Sequence, residues 1–170
     1  MTDLVNDARI FAHAAHAAIG QRRKYTHEPY ALHPAAVAAL VESVPHTPEM
    51  VAAAWLHDVV EDTQVSLSLI VHLFGGTVAR YVDQLTKRSK PEDGNRAVRM
   101  AIDLEHLAKA DPRVKTVKLA DLIDNTRSIA ARDPEFWKVY REEKRALLRV
   151  LTMGDAVLWC RAMDQVYAED

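Results

Sequence analysis

Residues 53–63, AAWLHDVVEDT, join the end of an apolar run to four ionisable side chains. His57 and Asp58 are adjacent, and Glu61 and Asp62 follow about one helical turn later. Histidines and carboxylates at the end of a buried segment cost free energy unless they are paired or bind a metal ion. Imidazole nitrogen and carboxylate oxygen together suit manganese, iron(II) or zinc. The segment therefore predicts a metal site at the end of a buried helix, although Asp62 fits a helix-end cap equally well.

The rest of the chain predicts an all-α protein. Its 170 residues favour a single domain over 1–170, and 49% of them are hydrophobic, largely Ala, Val and Leu. Apolar residues recur every three or four positions, while proline, glycine and capping residues separate the segments. The predicted helices are about 5–19, 34–44, 48–60, 66–74, 77–86, 95–110, 113–129 and two C-terminal helices within 134–168.

Composition excludes several classes of function. The formal charge is −2 and the basic residues are spread out, which argues against nucleic acid as the main partner. The single cysteine, Cys160, allows neither a disulfide framework nor a zinc–thiolate cluster. No apolar stretch approaches the roughly 20 residues of a membrane span, and the N-terminus lacks the apolar core of a signal peptide. We expect a cytoplasmic protein without a membrane partner, in which Trp137 and Tyr140 form core or a homodimer surface.

Three further segments carry polar groups whose roles stay open from spacing alone. The loop 21–31, QRRKYTHEPYA, is either a solvated basic turn or a clamp for an anion or nucleotide. His33 lies at the start of a helix, where a single histidine is more often structural. The stripe that begins with Val114 and Val117 turns polar at Asp121, Asn125 and Ser128. That change indicates either a buried polar site with Asp121 as a metal ligand or side chains that cap neighbouring helices.

Five strings in order carry a resemblance to a known family. They cover about residues 8–130 and read QRRK, EPYALHP, AAAWLHDVVEDT, FGGTVARYVDQLTK and VKLADLIDNT. The chain resembles the HD superfamily of metal-dependent phosphohydrolases, above all the small single-domain (p)ppGpp 3′-pyrophosphohydrolases of RelA/SpoT type. The resemblance implies an HD-domain bundle of about eight to nine helices. It also implies removal of the 3′-pyrophosphate from (p)ppGpp, (p)ppApp or both, with Mn²⁺ as the usual ion.

The same resemblance implies roles for ten residues. The metal ligands would be His33, His57, Asp58 and Asp121. Glu61 and Asp62 match the pair that positions or deprotonates the attacking water. Arg23 and Lys24 match residues that contact the nucleotide and its phosphates, and Asn125 and Ser128 match ligand-contacting positions.

One segment departs from the family pattern. Many alarmone hydrolases have LADRLHNMRT where this chain has LADLIDNTRS. Leu122 replaces a basic residue, Asp124 replaces a histidine or tyrosine, and Thr126 replaces an apolar residue. The nucleotide preference therefore stays open, and two alternatives remain. One is another small-nucleotide phosphohydrolase, such as an NADPH 2′-phosphatase or a deoxynucleotide 5′-phosphatase. The other is a non-catalytic nucleotide-binding module.

Overall fold

Nine α-helices and one single-turn 3-10 helix form the regular structure of residues 3–167, the part of the chain that the computed structural model describes. This confirms the predicted all-α class. The 3-10 helix is Pro91–Asp93. The α-helices are α1 (Leu4–Ala18), α2 (Leu32–Glu42), α3 (Pro48–Leu56), α4 (Val59–Asp62), α5 (Leu67–Leu85), α6 (Arg96–Ala108), α7 (Pro112–Arg132), α8 (Pro134–Val150) and α9 (Ala156–Tyr167).

Helix α3 lies at the centre of the core. Every residue from Met50 to Leu56 is buried, because α1, α2, α5 and α7 all pack around this helix. Helix α2 also packs along α7, while α8 and α9 pack together and against α7. The end of α3, the start of α2 and the middle of α7 therefore meet in the interior, which is where the sequence places its candidate ligands.

Helix α3 is shorter than the predicted segment 48–60. It ends at Leu56, and a separate turn of helix, α4, begins at Val59. The ring of His57 explains the break, since its Nδ1 donates to the carbonyl oxygen of Ala54 at 2.7 Å. In a continuing α-helix that oxygen would accept from the N–H of residue 58. His57 and Asp58 thus lie in a turn between two helices.

A glycine interrupts α5 where the sequence predicts a stop. Gly75 has φ 83° and ψ 167°, a left-handed conformation that glycine adopts without the steric cost of a Cβ. The two predicted helices 66–74 and 77–86 therefore form one element with a kink. Within residues 3–167, no helix combines the length and the apolar character that a membrane span requires.

Candidate metal centre and nucleotide cavity

Four predicted ligands from three elements converge at one point. His33 comes from the first turn of α2, His57 and Asp58 from the turn after α3, and Asp121 from the middle of α7. The Nε2 atoms of His33 and His57 lie 3.2 Å apart. The Oδ2 atom of Asp58 lies 3.0 Å from His57 Nε2 and 3.6 Å from His33 Nε2. The Oδ1 atom of Asp121 lies 3.1 Å and 3.7 Å from the same nitrogens of His33 and His57.

Three of these five separations are those expected of ligands around one divalent cation, and the other two, 3.6 and 3.7 Å, are slightly longer. Nitrogen and oxygen ligands lie about 2.1 Å from such an ion, so neighbouring ligands are about 3.0 to 3.4 Å apart at angles between octahedral and tetrahedral. The histidine tautomers fit as well, because the Nδ1 of His57 donates to Ala54 and the Nδ1 of His33 donates to Asp124. Both Nε2 atoms are then free to offer a lone pair to a metal.

The carboxylates of the cluster favour positive charge at its centre. Burial alone lowers the pKa of His57, but the carboxylates of Asp58 and Asp121 outweigh it, so that pKa lies well above its usual value. The pKa of His33 is raised in the same way, against burial, by Asp121 and Asp124. Burial raises the pKa of Asp121, yet Lys118 and the two imidazoles hold it well below its usual value. The carboxylates are therefore ionised and ready to bind a cation.

Neighbouring side chains fix both carboxylates in place. Lys118 Nζ donates to Asp121 Oδ2 and Asn125 Nδ2 donates to Asp121 Oδ1, each at 2.6 Å. The phenol of Tyr30 donates to Asp58 Oδ2. Asn125 thus contacts a predicted metal ligand directly, in addition to lining the cavities where a substrate contact was predicted.

A cavity of about 300 Å³ opens beside the donor cluster. Asp58 and Asp121 line it together with Glu61 and Asp62, so the structure brings both predicted catalytic acids to the metal donors. Three cationic side chains also line it, and these are Lys87, Arg96 and Lys118. Glu61 forms an ion pair with Lys87, and Arg96 pairs with Glu143.

Asp62 has the chemical character of a proton acceptor. Partial burial of its carboxyl and the negative charge of Asp58 raise its pKa, while a hydrogen bond from Gln21 opposes the shift. Gln21 Nε2 donates to Asp62 Oδ2 at 2.8 Å, and Gln21 Oε1 in turn accepts from the buried His16 at 2.6 Å. The second carboxylate of the pair is therefore held in position from α1 and the loop that follows it.

A second cavity of about 200 Å³ contains all four residues predicted to bind substrate. Its lining is Arg23, Lys24, Tyr25, Tyr30, Asn125, Ser128, Ile129 and Phe136. Tyr30 and Asn125 also line the first cavity, so the two spaces adjoin. Within the second cavity, Lys24 Nζ lies 4.8 Å from the ring centre of Tyr25 and 5.5 Å from that of Phe136.

Sequence reasoning missed three residues of this site. Tyr30 and Gln21 belong to the loop 21–31, whose pattern gave no reason to separate them from their neighbours. Asp124 was noted only as a departure from the family pattern, but its Oδ2 accepts from both His33 and Arg23. The available signal was its helical position, one turn before Ser128 and three residues after Asp121.

A family model described as an HD domain matches residues 8–150. The chain belongs to the HD domain family. HD domains bind divalent metals, and His33, His57 and Asp58 form a candidate site for such an ion in this chain. The match covers α2, the turn between α3 and α4, and α7, which together supply the four predicted ligands.

This HD domain is similar to parts of much longer proteins. It is 40% identical over 135 residues to a probable guanosine-3′,5′-bis(diphosphate) 3′-pyrophosphohydrolase of Synechocystis, covering 78% of the chain and 17% of that relative. It is 34% identical over 134 residues to the guanosine-3′,5′-bis(diphosphate) 3′-pyrophosphohydrolase of Aquifex aeolicus, covering 79% and 18%. The chain thus spans less than a fifth of these curated relatives, and the predicted resemblance is confirmed.

A solved structure matches over almost its whole length. It is a metazoan ortholog of SpoT that is described as hydrolysing ppGpp. The alignment covers 97% of this chain and 94% of that one, with a TM-score of 0.84 and 28% sequence identity. The predicted HD-domain bundle is therefore confirmed.

Proposed function

We propose that the chain is a metal-dependent hydrolase that removes the 3′-pyrophosphate from alarmone nucleotides, (p)ppGpp or (p)ppApp, and that Mn²⁺ is its ion. The observation that carries the proposal is the continuity of the site. The metal donors adjoin a cavity whose lining includes Glu61, Asp62 and three cations, and that cavity adjoins a second one lined in part by aromatic rings. Such a site offers a place for each part of a nucleotide with a 3′-diphosphate.

His33, His57, Asp58 and Asp121 would hold the ion through two imidazole nitrogens and two carboxylate oxygens. This mixed set lacks thiolate and includes two hard oxygen donors, which suits Mn²⁺ among divalent ions. A bound divalent cation supplies Lewis acidity, which polarises a phosphoryl oxygen and makes a nearby water more acidic.

Glu61 and Asp62 would orient and deprotonate the attacking water. Both line the cavity beside Asp58, and the raised pKa of Asp62 suits its carboxylate to accept a proton. Lys87 holds Glu61 through an ion pair and a backbone hydrogen bond of 3.3 Å. We therefore propose that Asp62 accepts the proton of the water and that Glu61 orients the water.

Three cations would neutralise the substrate's diphosphate. Lys87, Arg96 and Lys118 line the cavity that contains the two acids. In the reaction, the water oxygen forms a bond to the phosphorus attached to O3′, and the bond from that phosphorus to O3′ breaks. The proton lost by the water is balanced by one gained at O3′, so the products are pyrophosphate and a nucleoside 5′-di- or triphosphate.

The second cavity would accept the nucleoside. Tyr25 and Phe136 offer aromatic faces on which a base can stack, and Arg23 offers a planar guanidinium for stacking or hydrogen bonding. Lys24 and Ser128 add polar contacts at the same cavity. The names of the two relatives and the metazoan structure support the same substrate class.

We further propose that these helices act as one catalytic domain. Helix α7 supports this, because it carries Asp121 and packs against α2, α3, α5, α8 and α9. The C-terminal helices contribute Phe136, Tyr140 and Glu143 of α8 to the two cavities. Removal of α8 and α9 would therefore open the site as well as the core.

The test is product identification on a nucleotide panel with Mn²⁺ present. The purified chain is incubated with ppGpp, pppGpp, ppApp, NADPH and deoxynucleoside triphosphates, and pyrophosphate and orthophosphate are measured separately. We expect pyrophosphate from at least one alarmone and none in the presence of excess EDTA. Orthophosphate from NADPH or a deoxynucleotide alone would favour the other phosphohydrolase class, for which the altered residues 122–126 are the motivating feature. Tight nucleotide binding without any product would favour the non-catalytic module.

A further inference from the structure

Asp124 contacts both the metal cluster and a residue that lines the second cavity, through a single oxygen. Its Oδ2 accepts from His33 Nδ1 at 2.7 Å and from Arg23 Nη1 at 2.7 Å. Only 12% of its side chain is exposed. We infer that Asp124 is a positioning residue that orients His33 toward the metal and Arg23 toward the nucleotide. Its effect on the nucleotide rests on the proposed function, whereas its effect on the metal rests on the donor cluster alone.

The two metal histidines are held by different kinds of acceptor. His57 donates to a neutral backbone carbonyl, which belongs to Ala54 of its own helix. His33 donates across the interior from α2 to a carboxylate on α7, 91 residues away in sequence. A carboxylate partner fixes the tautomer and makes the imidazole a stronger ligand, and loss of such a partner typically weakens metal binding about 10- to 100-fold. His33 therefore depends on Asp124 in a way that His57 does not.

Arg23 receives its position from the same helix. Its second terminal nitrogen, Nη2, lies 3.3 Å from Ser128 Oγ, one turn beyond Asp124. The guanidinium is thus bonded to two side chains of α7 at the wall of the second cavity, which the exposed Lys24 also lines. A histidine or tyrosine at position 124, as in the related pattern, could not give Arg23 an ion pair.

The decisive measurement is Mn²⁺ binding by calorimetry on the full chain without nucleotide. We expect Asp124→Ala to weaken Mn²⁺ about 10- to 100-fold, and Asp124→Asn to fall between it and the wild type because its amide oxygen still accepts from His33. Arg23→Ala should leave the Mn²⁺ affinity within about threefold of the wild type while raising KM. The matched control is Asp83→Asn, which removes an arginine-paired carboxylate on α5 that lines neither cavity. It should change neither quantity.

Steady-state kinetics separate positioning from a general structural effect. In Asp124→Ala, kcat should fall because the metal is bound more weakly, and KM should rise because Arg23 loses its partner. In Asp124→Asn, both changes should be smaller. If a folded Asp124→Ala or Asp124→Asn binds Mn²⁺ as tightly as the wild type, the inference is overturned. Because the metal titration contains no nucleotide, it decides the role of Asp124 even if the wild type releases no pyrophosphate. Circular dichroism establishes whether each variant is folded. If Asp124→Ala does not fold, the Mn²⁺ affinity of Asp124→Asn decides whether Asp124 positions His33.

Discussion

His57 donates from Nδ1 to the carbonyl oxygen of Ala54 at 2.7 Å, three residues earlier in the last turn of α3. This bond ends α3 and at the same time points the other ring nitrogen at His33 Nε2, 3.2 Å away. The local geometry that terminates the helix is thus also the geometry that prepares a ligand. A substitution at His57 should therefore affect both the cation site and the end of α3.

Removal of a metal donor should abolish metal-dependent turnover without unfolding the chain. We expect His57→Ala and Asp121→Ala to lose Mn²⁺ binding and pyrophosphate release while keeping the helical circular dichroism signal. The reason is that both side chains point into the cluster, while the surrounding α3 and α7 residues supply the core. The control is His72→Ala on the exposed face of α5. Full activity in either site variant would contradict the ligand assignment.

The role of Asp62 should be visible in the pH dependence of kcat/KM. If Asp62 accepts the proton, kcat/KM falls as the pH drops through the pKa of Asp62, which gives the pH–rate profile an acid limb. Because that pKa is raised, the acid limb should lie at a higher pH than an ordinary aspartate would give. Asp62→Asn should cost about 10²- to 10⁴-fold in rate. Glu61→Gln should lower the rate and keep an acid limb, moved to lower pH because the negative charge of Glu61 helps to raise the pKa of Asp62. The comparison is made from pH–rate profiles at saturating Mn²⁺.

Gln21 offers a finer test of the same assignment. Its amide donates to Asp62 and favours the ionised form, so Gln21→Ala should raise the pKa of Asp62 and move the acid limb to higher pH. The exposed Gln64 provides a control substitution to alanine. A limb that stays at the same pH in Gln21→Ala would mean that another group controls it.

Much of this arrangement could be predicted because it depends on local patterns. The helices follow from apolar spacing and from caps such as Thr47 and Asp133, which accept from the backbone as their positions indicate. The four donors were identified by the resemblance. The link between Asp124 and His33 could not be read in the same way, because it joins α2 and α7 across 91 residues. Spacing within one helix carries no information about such a contact.

The turn after α8 should be intolerant of a side chain at Gly154. A Cβ there would lie 2.8 Å from Leu119 Cδ1 and 3.1 Å from two backbone atoms of α7, the carbonyl carbon of Lys115 and the nitrogen of Thr116. The same turn is bonded to α7, since Asp155 N donates to Thr116 Oγ1 at 2.9 Å. We expect Gly154→Ala to lower the free energy of unfolding by about 1 to 3 kcal/mol, measured by urea denaturation.

Gly76→Ala is the matched control for that substitution. Nothing lies within 4 Å of a Cβ at position 76, and the residue has no left-handed φ. Because alanine is the better helix former, this variant should be as stable as the wild type or more stable by up to about 1 kcal/mol. Equal stability of Gly154→Ala and Gly76→Ala would contradict the close packing of the turn on α7.

Lys144 should make the stability of the protein depend on pH. Its side chain is fully buried, and its Nζ donates to Thr126 Oγ1, to Gln165 Oε1 at 2.8 Å and toward Leu122 O at 3.5 Å, all uncharged acceptors. Burial lowers its pKa to about 7, against an opposing effect of Asp121. Below pH 7 the lysine is charged in both the folded and the unfolded states. Between about pH 7 and 10.4 the unfolded chain keeps the proton that the folded chain has released, so the free energy of unfolding rises with pH.

The measurement is the difference in unfolding free energy between the wild type and Lys144→Met at pH 6, 8 and 10. The loss of a donor to Thr126 and Gln165 adds a constant offset, whereas the lysine's proton adds a part that changes with pH. We expect the wild type to gain about 2 to 4 kcal/mol relative to the variant across this range. Lys138→Met on the same helix, where the side chain is 70% exposed, should give a flat difference. A flat difference for Lys144→Met as well would show that the buried amine keeps its ordinary pKa, with its three oxygen acceptors compensating for the loss of water.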